Sequence, residues 1–336
     1  MAMLAQVRLF LMIALIYVLL ASHAAAQQEP IVFADLSWDS ARSQNRIAQY
    51  IVEKGYGYPT DLIPGGTVDL FAGLRQGESD IMMELWLPNN SEAWEDAIIV
   101  GEVVSLGESL SKLSQSAFMI PAYVQEAHPD LDHVEDLKDE AYRSLFVTAE
   151  SGGKAALVSC VEGWACHAVN ALQVTGYGLD DYVQVITPES EAALHNSLFE
   201  SYEQKAPWLG YLDSSMAPSL KLDMVQLEEP AHSEQCWITT KACGYADTML
   251  LIAARPELLM RAPEVAQMLR KWDLNAAAYR ALSGWRIDNE ASYADTAVWW
   301  LNENEEIWRE WVTEEAAAGI WAALEGGAGA EGWPDA

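Results

Sequence analysis

Positive charge is what this 336-residue chain has least of: 19 Lys and Arg stand against 50 Asp and Glu, a formal charge of −31. A surface of that sign repels phosphate backbones and anionic lipid heads, which excludes nucleic acid as a partner. It also concentrates cations near clefts, a first hint of a cationic ligand. Signature motifs of catalysis are equally scarce. The chain has no Gly-x-Ser-x-Gly elbow, no Gly-x-x-x-x-Gly-Lys-Ser/Thr loop, no His-Glu-x-x-His pair, and no Gly-x-Gly-x-x-Gly after a strand. Gly152-Gly153-Lys154 follows a candidate strand but is a weak phosphate signal alone. Carboxylate pairs such as Glu228 and Glu229 carry no weight in so acidic a protein, and a secreted hydrolase with two catalytic acids is kept only as a distant alternative.

Long apolar runs are nearly absent too. One exists, Leu9 to Leu20, preceded by Arg8 and followed by Ala24-Ala25-Ala26. A basic start, a short apolar stretch and small residues at the cleavage position describe a secretory signal peptide over 1–26, leaving Gln27 as the mature N-terminus. No Cys near that junction offers a lipid attachment point, and no later run approaches the roughly 20 residues that span a bilayer. The expected location is the bacterial periplasm.

Cysteine is rare, with four in all: Cys160, Cys166, Cys236 and Cys243. An even count in an exported chain points to disulfides over metal ligation. Three connectivities are possible, and the two local pairs are favoured. His128, His133, His167, His195 and His232 are scattered and are assigned to the surface or to satisfied core positions, so no metal and no cofactor is expected.

What the chain does have is alternation. Ile31 to Ala34 reads as a buried strand, Ser40 to Lys54 as a helix ending near Gly55, and Leu62-Ile63 as a strand. Val68 to Gln76 reads as a helix closed by Gly77, and Ile81 to Trp86 as a strand stopped by Pro88. A second series begins with a strand at Leu145-Phe146-Val147. It continues with a helix over 164–174, a strand over 182–186, a helix over 189–203 and a strand over 208–212. Ser116 to Lys138 holds the expected first crossing between the units, and Leu227 to Trp237 the return. Thr248 to Ala253 is expected to rejoin the first unit as a strand. Helices then follow over 262–272, 275–282, 291–302 and 303–324. Strands alternating with helices predict two α/β lobes with mainly parallel sheets, and two crossings leave a ligand cleft between them.

Tryptophan is abundant, with 14 residues, and three of them sit at strand-end or loop-like positions, strand ends of a parallel sheet pointing into the cleft. These are Trp38 after the first strand, Trp86 at the end of the third, and Trp164 at a helix start. Indoles gathered around a fully methylated cation supply dispersion and quadrupole attraction to a charge that water solvates poorly. Trp237, Trp272, Trp299, Trp300, Trp308, Trp311 and Trp321 are assigned to packing, and Trp285 is left open.

At these residues the sequence resembles the substrate-binding proteins of ABC transporters for glycine betaine, choline, proline betaine and related methylated onium osmolytes. The carriers are Ser37-Trp38, Gly77-Glu78-Ser79-Asp80-Ile81 leading to Glu84-Leu85-Trp86-Leu87-Pro88, and Glu162-Gly163-Trp164-Ala165-Cys166. Leu222 to Pro230 and Trp308-Arg309-Glu310-Trp311-Val312 extend them. The resemblance implies a two-lobed periplasmic binding protein fold of type II with two hinge crossings. Lobe 1 would comprise 27–118 plus 238–336, and lobe 2 would comprise 119–237. It further implies a receptor without catalytic activity, most simply a monomer, that hands its ligand to a permease in the inner membrane. A receptor for a polyamine or a sugar is the runner-up.

Trp38, Trp86 and Trp164 match the family's cage positions. Where many relatives carry a further tryptophan, this chain has Leu212-Asp213-Ser214. Trp208 or Tyr211 could fill that wall, or Asp213 or Glu84 could bring a carboxylate to the cation. Asp39 could accept a choline hydroxyl. Gly152, Gly153 or the helix start near Gly163 could donate to a betaine carboxylate. A Cys160–Cys166 disulfide would clamp the loop that holds Trp164.

Overall fold

The computed structural model describes residues 28–87, 89–111, 116–327 and 333; the expected signal peptide lies outside them. Among the described residues ten strands form two five-stranded sheets. The first contains β1 (Ile31–Leu36), β2 (Thr60–Gly65), β3 (Ile81–Leu87), β4 (Val104–Glu108) and β10 (Met249–Ala254), in the order β2-β1-β3-β10-β4. Its β1 runs parallel to β2 and β3, while β10 enters antiparallel between β3 and β4. The second contains β5 (Ser116–Pro121), β6 (Ala155–Val158), β7 (Val183–Ile186), β8 (Gly210–Asp213) and β9 (Met224–Gln226), in the order β7-β6-β8-β5-β9. Both sheets carry helices on their faces, so β1 and β3 are almost wholly buried and read as apolar runs broken by one acid each, Asp35 and Glu84.

The chain passes from the first sheet to the second between Glu108 and Ser116 and returns between Gln226 and Met249. All of β5 pairs in the second sheet, against β8 and β9. After β9, the segment to Tyr245 stays with the second sheet. There Gln173 donates to the Cys243 carbonyl at 2.9 Å and Tyr245 to Asn170 Oδ1 at 2.6 Å. Both local cysteine pairs are disulfides, Cys160–Cys166 and Cys236–Cys243.

Several local expectations are corrected. The segment 144–146 is a 3₁₀ turn, and the strand of that region is β6. The helix expected over 40–54 is α-helical from Asp39 to Tyr50 and then widens into a π turn. The stretch 303–324 is two helices, Glu305–Trp308 and Glu314–Glu325. Elements outside the sequence reading include the helix Ser91–Val100, β4 and β9. The helix Thr67–Gln76 does end at Gly77, which takes a left-handed φ of 86° and closes the helix by hydrogen-bonding back to the Gly73 and Leu74 carbonyls.

Candidate functional site

The C-terminal ends of β1 and β3 deliver two tryptophans to one place. Ser37 and Trp38 follow β1 directly, and Trp38 caps the helix Asp39–Tyr50. In β3 the alternation of side chains puts Glu84 and Trp86 on the same face. The third tryptophan, Trp164, caps the helix Ala165–Gly176 on the second sheet's side. Trp38 meets Trp86 edge-on at 6.5 Å between ring centroids and Trp164 at 5.3 Å, with interplanar angles of 83° and 74°. The three rings line a cavity with about 440 Å³ of space between atoms, part of it open to solvent. Its other walls are Ser40, Thr67 and Asn89 from the first side and Tyr211, Asp213, Ser215, Met216 and Glu191 from the second.

Glu84 lies behind the indoles, fully buried, and does not line the cavity. One carboxylate oxygen accepts from Trp38 Nε1 at 2.7 Å, Trp86 Nε1 at 3.1 Å and Ser40 Oγ at 3.0 Å. The other accepts from Gln44 Nε2 at 2.5 Å. Gln44 in turn accepts from Trp272 Nε1 at 3.0 Å. Burial pushes the Glu84 carboxyl above its ordinary value, and these donors pull it back. One acid therefore fixes the orientation of two of the indole rings.

The carboxyls that do face the cavity are Asp213 and Glu191, and no Lys, Arg or His joins them in its lining among the described residues. Asp213, at the end of β8, accepts from Ser215 N at 2.8 Å and from its hydroxyl. Glu191 opens the helix Glu191–Glu203 and accepts from the Asp39 backbone N–H at 3.0 Å, which ties the two sides together. Burial raises both carboxyls, and for Glu191 repulsion from Asp39 and Asp213 raises it further. Trp164 Nε1 donates to Ser37 Oγ at 2.8 Å, and Thr67 N donates to the Gly163 carbonyl at 3.1 Å, so the cleft is held shut over the cavity.

The remaining expected residues have other places. Tyr211 lines the cavity, with its hydroxyl donating to Ser116 Oγ at 3.0 Å. Trp208 does not reach it; its indole donates to Ser197 Oγ at 3.1 Å and packs over Gly210, where a Cβ would meet the ring at 2.4 Å. Asp39 is turned into a second cleft of about 1180 Å³, where it is bonded by Arg286 and by the Tyr293 hydroxyl. That cleft also holds Arg42 and the buried His195, whose pKa burial lowers to about 4. Gly152 and Gly153 are not among the cavity residues, whereas Ala165 and Cys166 at the helix start are. Trp285 stacks on Trp299 at 4.4 Å and belongs to packing. Missed entirely were Glu191, Ser40, Thr67, Asn89, Ser215 and Met216; Glu191 had one available signal, its position at a helix start after β7 in the second unit.

The model of the substrate-binding domain of ABC-type glycine betaine transport systems matches residues 29–303. The chain belongs to this family. It is 21% identical to the trimethylamine N-oxide-binding protein of Pelagibacter ubique (strain HTCC1062), over 85% of this chain and 92% of that protein. It is 24% identical to the glycine betaine/proline betaine-binding periplasmic protein of Salmonella typhimurium, over 74% of this chain and 78% of that protein. Among solved structures, an ABC-transporter choline-binding protein in complex with choline superposes with a TM-score of 0.72 at 14% identity, covering 88% of this chain and 98% of that one. The fold is that of the type II periplasmic binding proteins, and the protein is a solute-binding component of an ABC transporter, not an enzyme. Among the described residues no helix is long and apolar enough to cross a membrane.

Proposed function

We propose that this protein captures a small quaternary ammonium or sulfonium solute in the cavity of Trp38, Trp86, Trp164 and Tyr211 and delivers it to an inner-membrane permease. The observation that carries this reading is the convergence of three indoles and a phenol from both sides of the cleft with two carboxyls, Asp213 and Glu191. At about 2 kcal/mol per desolvated ring contact, three or four rings contribute roughly 6–8 kcal/mol, which corresponds to micromolar affinity. The names of the relatives, trimethylamine N-oxide, glycine betaine and proline betaine binders, and of the choline-bound structure support the same ligand chemistry. The compact cavity favours a methylated head group over an extended polyamine.

The proposal includes the working parts around the site. Met1 to Ala26 serves as a cleaved leader that places a monomeric receptor in the periplasm. The sequence division of 119–237 against 27–118 plus 238–336 describes lobes that close on the ligand. The pairing of β5 and the packing of Cys243 and Tyr245 support hinges that precede Ser116 and follow Tyr245. Titration by tryptophan fluorescence with choline, glycine betaine, trimethylamine N-oxide, dimethylsulfoniopropionate and spermidine tests the reading. Micromolar binding of at least one onium compound is expected, weakened at least about tenfold in Trp86→Ala and in Trp164→Ala. Binding of spermidine alone, or of none of the panel, would overturn it.

A further inference from the structure

The cavity has two unlike halves. The first sheet's side presents the indoles of Trp38 and Trp86 with the neutral polar groups of Ser40, Thr67 and Asn89. The second side presents Glu191 and Asp213 beside Trp164 and Tyr211. Asp213 is 6% exposed, and its carboxylate accepts from the backbone N–H and the hydroxyl of Ser215. Glu191 is tied to the first side by one backbone N–H. The positive groups nearest to Glu191 lie in the second cleft. Of these, Arg286 is engaged by Asp39, and Arg42 makes no ion pair among the described residues, partly offsetting Glu191 from outside.

Closing the cleft removes two acids from water and brings them together around one small space, without a cationic side chain in its walls. Buried charge is tolerated when a counter-charge is buried with it. Building on the onium reading above, we infer that Glu191 and Asp213 make the cavity selective for ligands of net positive charge, such as choline, over zwitterions that carry their own carboxylate, such as glycine betaine. A net cation offsets the acids directly. A zwitterion brings a third carboxylate into the same enclosure, where the described lining offers it hydroxyls, an amide and the helix start at Ala165 but no cationic side chain.

Calorimetric titration of the wild-type protein with choline, tetramethylammonium and glycine betaine reads this out. Choline and tetramethylammonium are expected to bind at least about tenfold more tightly than glycine betaine, a difference of about 1.4 kcal/mol. In Glu191→Gln and in Asp213→Asn, choline affinity should fall several-fold while glycine betaine affinity holds or improves, so that the ratio collapses. Glycine betaine binding as tightly as choline to the wild type would overturn the inference and leave the onium reading standing, and this outcome needs no variant to fold. Correctly folded variants that keep the wild-type ratio would overturn it as well. Binding of none of the three would remove the onium reading and the inference together.

Discussion

Replacing Glu84 should loosen two walls of the cavity without removing either ring. Its three N–H partners, Trp38 Nε1, Trp86 Nε1 and Gln44 Nε2, can only donate, and they converge with the Ser40 hydroxyl on two carboxylate oxygens. In Glu84→Ala the two indole N–H groups lose their acceptor inside the protein. At about 1–3 kcal/mol for each buried donor left unpaired, the cost is roughly 2–6 kcal/mol, in addition to the void. Glu84→Gln is subtler. Its single carbonyl can serve the three donors on one side, but its amide then faces Gln44 Nε2, and relief requires Gln44 to turn its own amide over. Turning it removes the acceptor of Trp272 Nε1, which keeps only the Ser109 carbonyl at 3.0 Å. We expect Glu84→Gln to cost about 1–3 kcal/mol in stability and to weaken onium binding several-fold, since charge-assisted hydrogen bonds become neutral ones. Urea unfolding gives the first quantity, and fluorescence titration of the folded variant gives the second. Wild-type stability and affinity in Glu84→Ala would refute the role given to this acid.

Three further outcomes follow from the geometry. A Cβ on Gly66 would sit 2.7 Å from the Gly163 carbonyl across the cleft, so Gly66→Ala should hold the lobes apart. Its signature is affinity lowered about tenfold with an unchanged melting temperature, and equal loss of both would argue against a closure effect. Reduction of Cys160–Cys166 frees the short loop bearing Trp164. Chain-entropy arguments assign such a closure about 2 kcal/mol. Cys160→Ser/Cys166→Ser should therefore melt earlier and bind more weakly, as differential scanning calorimetry and titration would show. Burial raises the Glu229 carboxyl from 4.5 to about 7, against the Tyr177 hydrogen bond at 2.8 Å. A raised carboxyl binds its proton more tightly in the folded state, so its contribution is present below pH 4.5 and is lost as pH rises toward 7. Glu229→Gln should accordingly gain stability at pH 8, by at most about 3 kcal/mol, and none at pH 4. A gain independent of pH would contradict that assignment.

The residues that were legible in the sequence are those whose type and position are both unusual. Trp38 and Trp86 stand out because strands of buried apolar residues do not ordinarily end in indoles, and Trp164 because it sits beside Gly163 at a helix start. Glu84 was visible as an acid inside an apolar strand, but sequence could not show that its carboxylate points at indole N–H groups and not at the cavity. Glu191 was hidden among 50 acids, since only the meeting of the helix Glu191–Glu203 with Asp39 brings it to the cleft. In the fold, Leu145-Phe146-Val147 has the composition of a strand, yet its Phe146 serves as a core anchor on a 3₁₀ turn. The true strand, Ala155-Ala156-Leu157-Val158, is short and half alanine, which gives little β signal. The break at 309–313 escaped because acidic and aromatic residues continue the helical pattern across it, while Thr313 starts a new helix by capping Ala316.

The central claim is that the cavity binds its ligand through positive charge on a methylated centre. Calorimetric titration of the protein over 27–336 with choline and with dimethylbutanol, its uncharged carbon isostere, separates charge from shape. The two fill the same space and carry the same hydroxyl. The account predicts micromolar binding of choline and binding of the isostere weaker by about a hundredfold or more, as rings and carboxylates acting on a cation require. Equal affinity for both would mean that the indoles act only as an apolar wall, and would contradict the account.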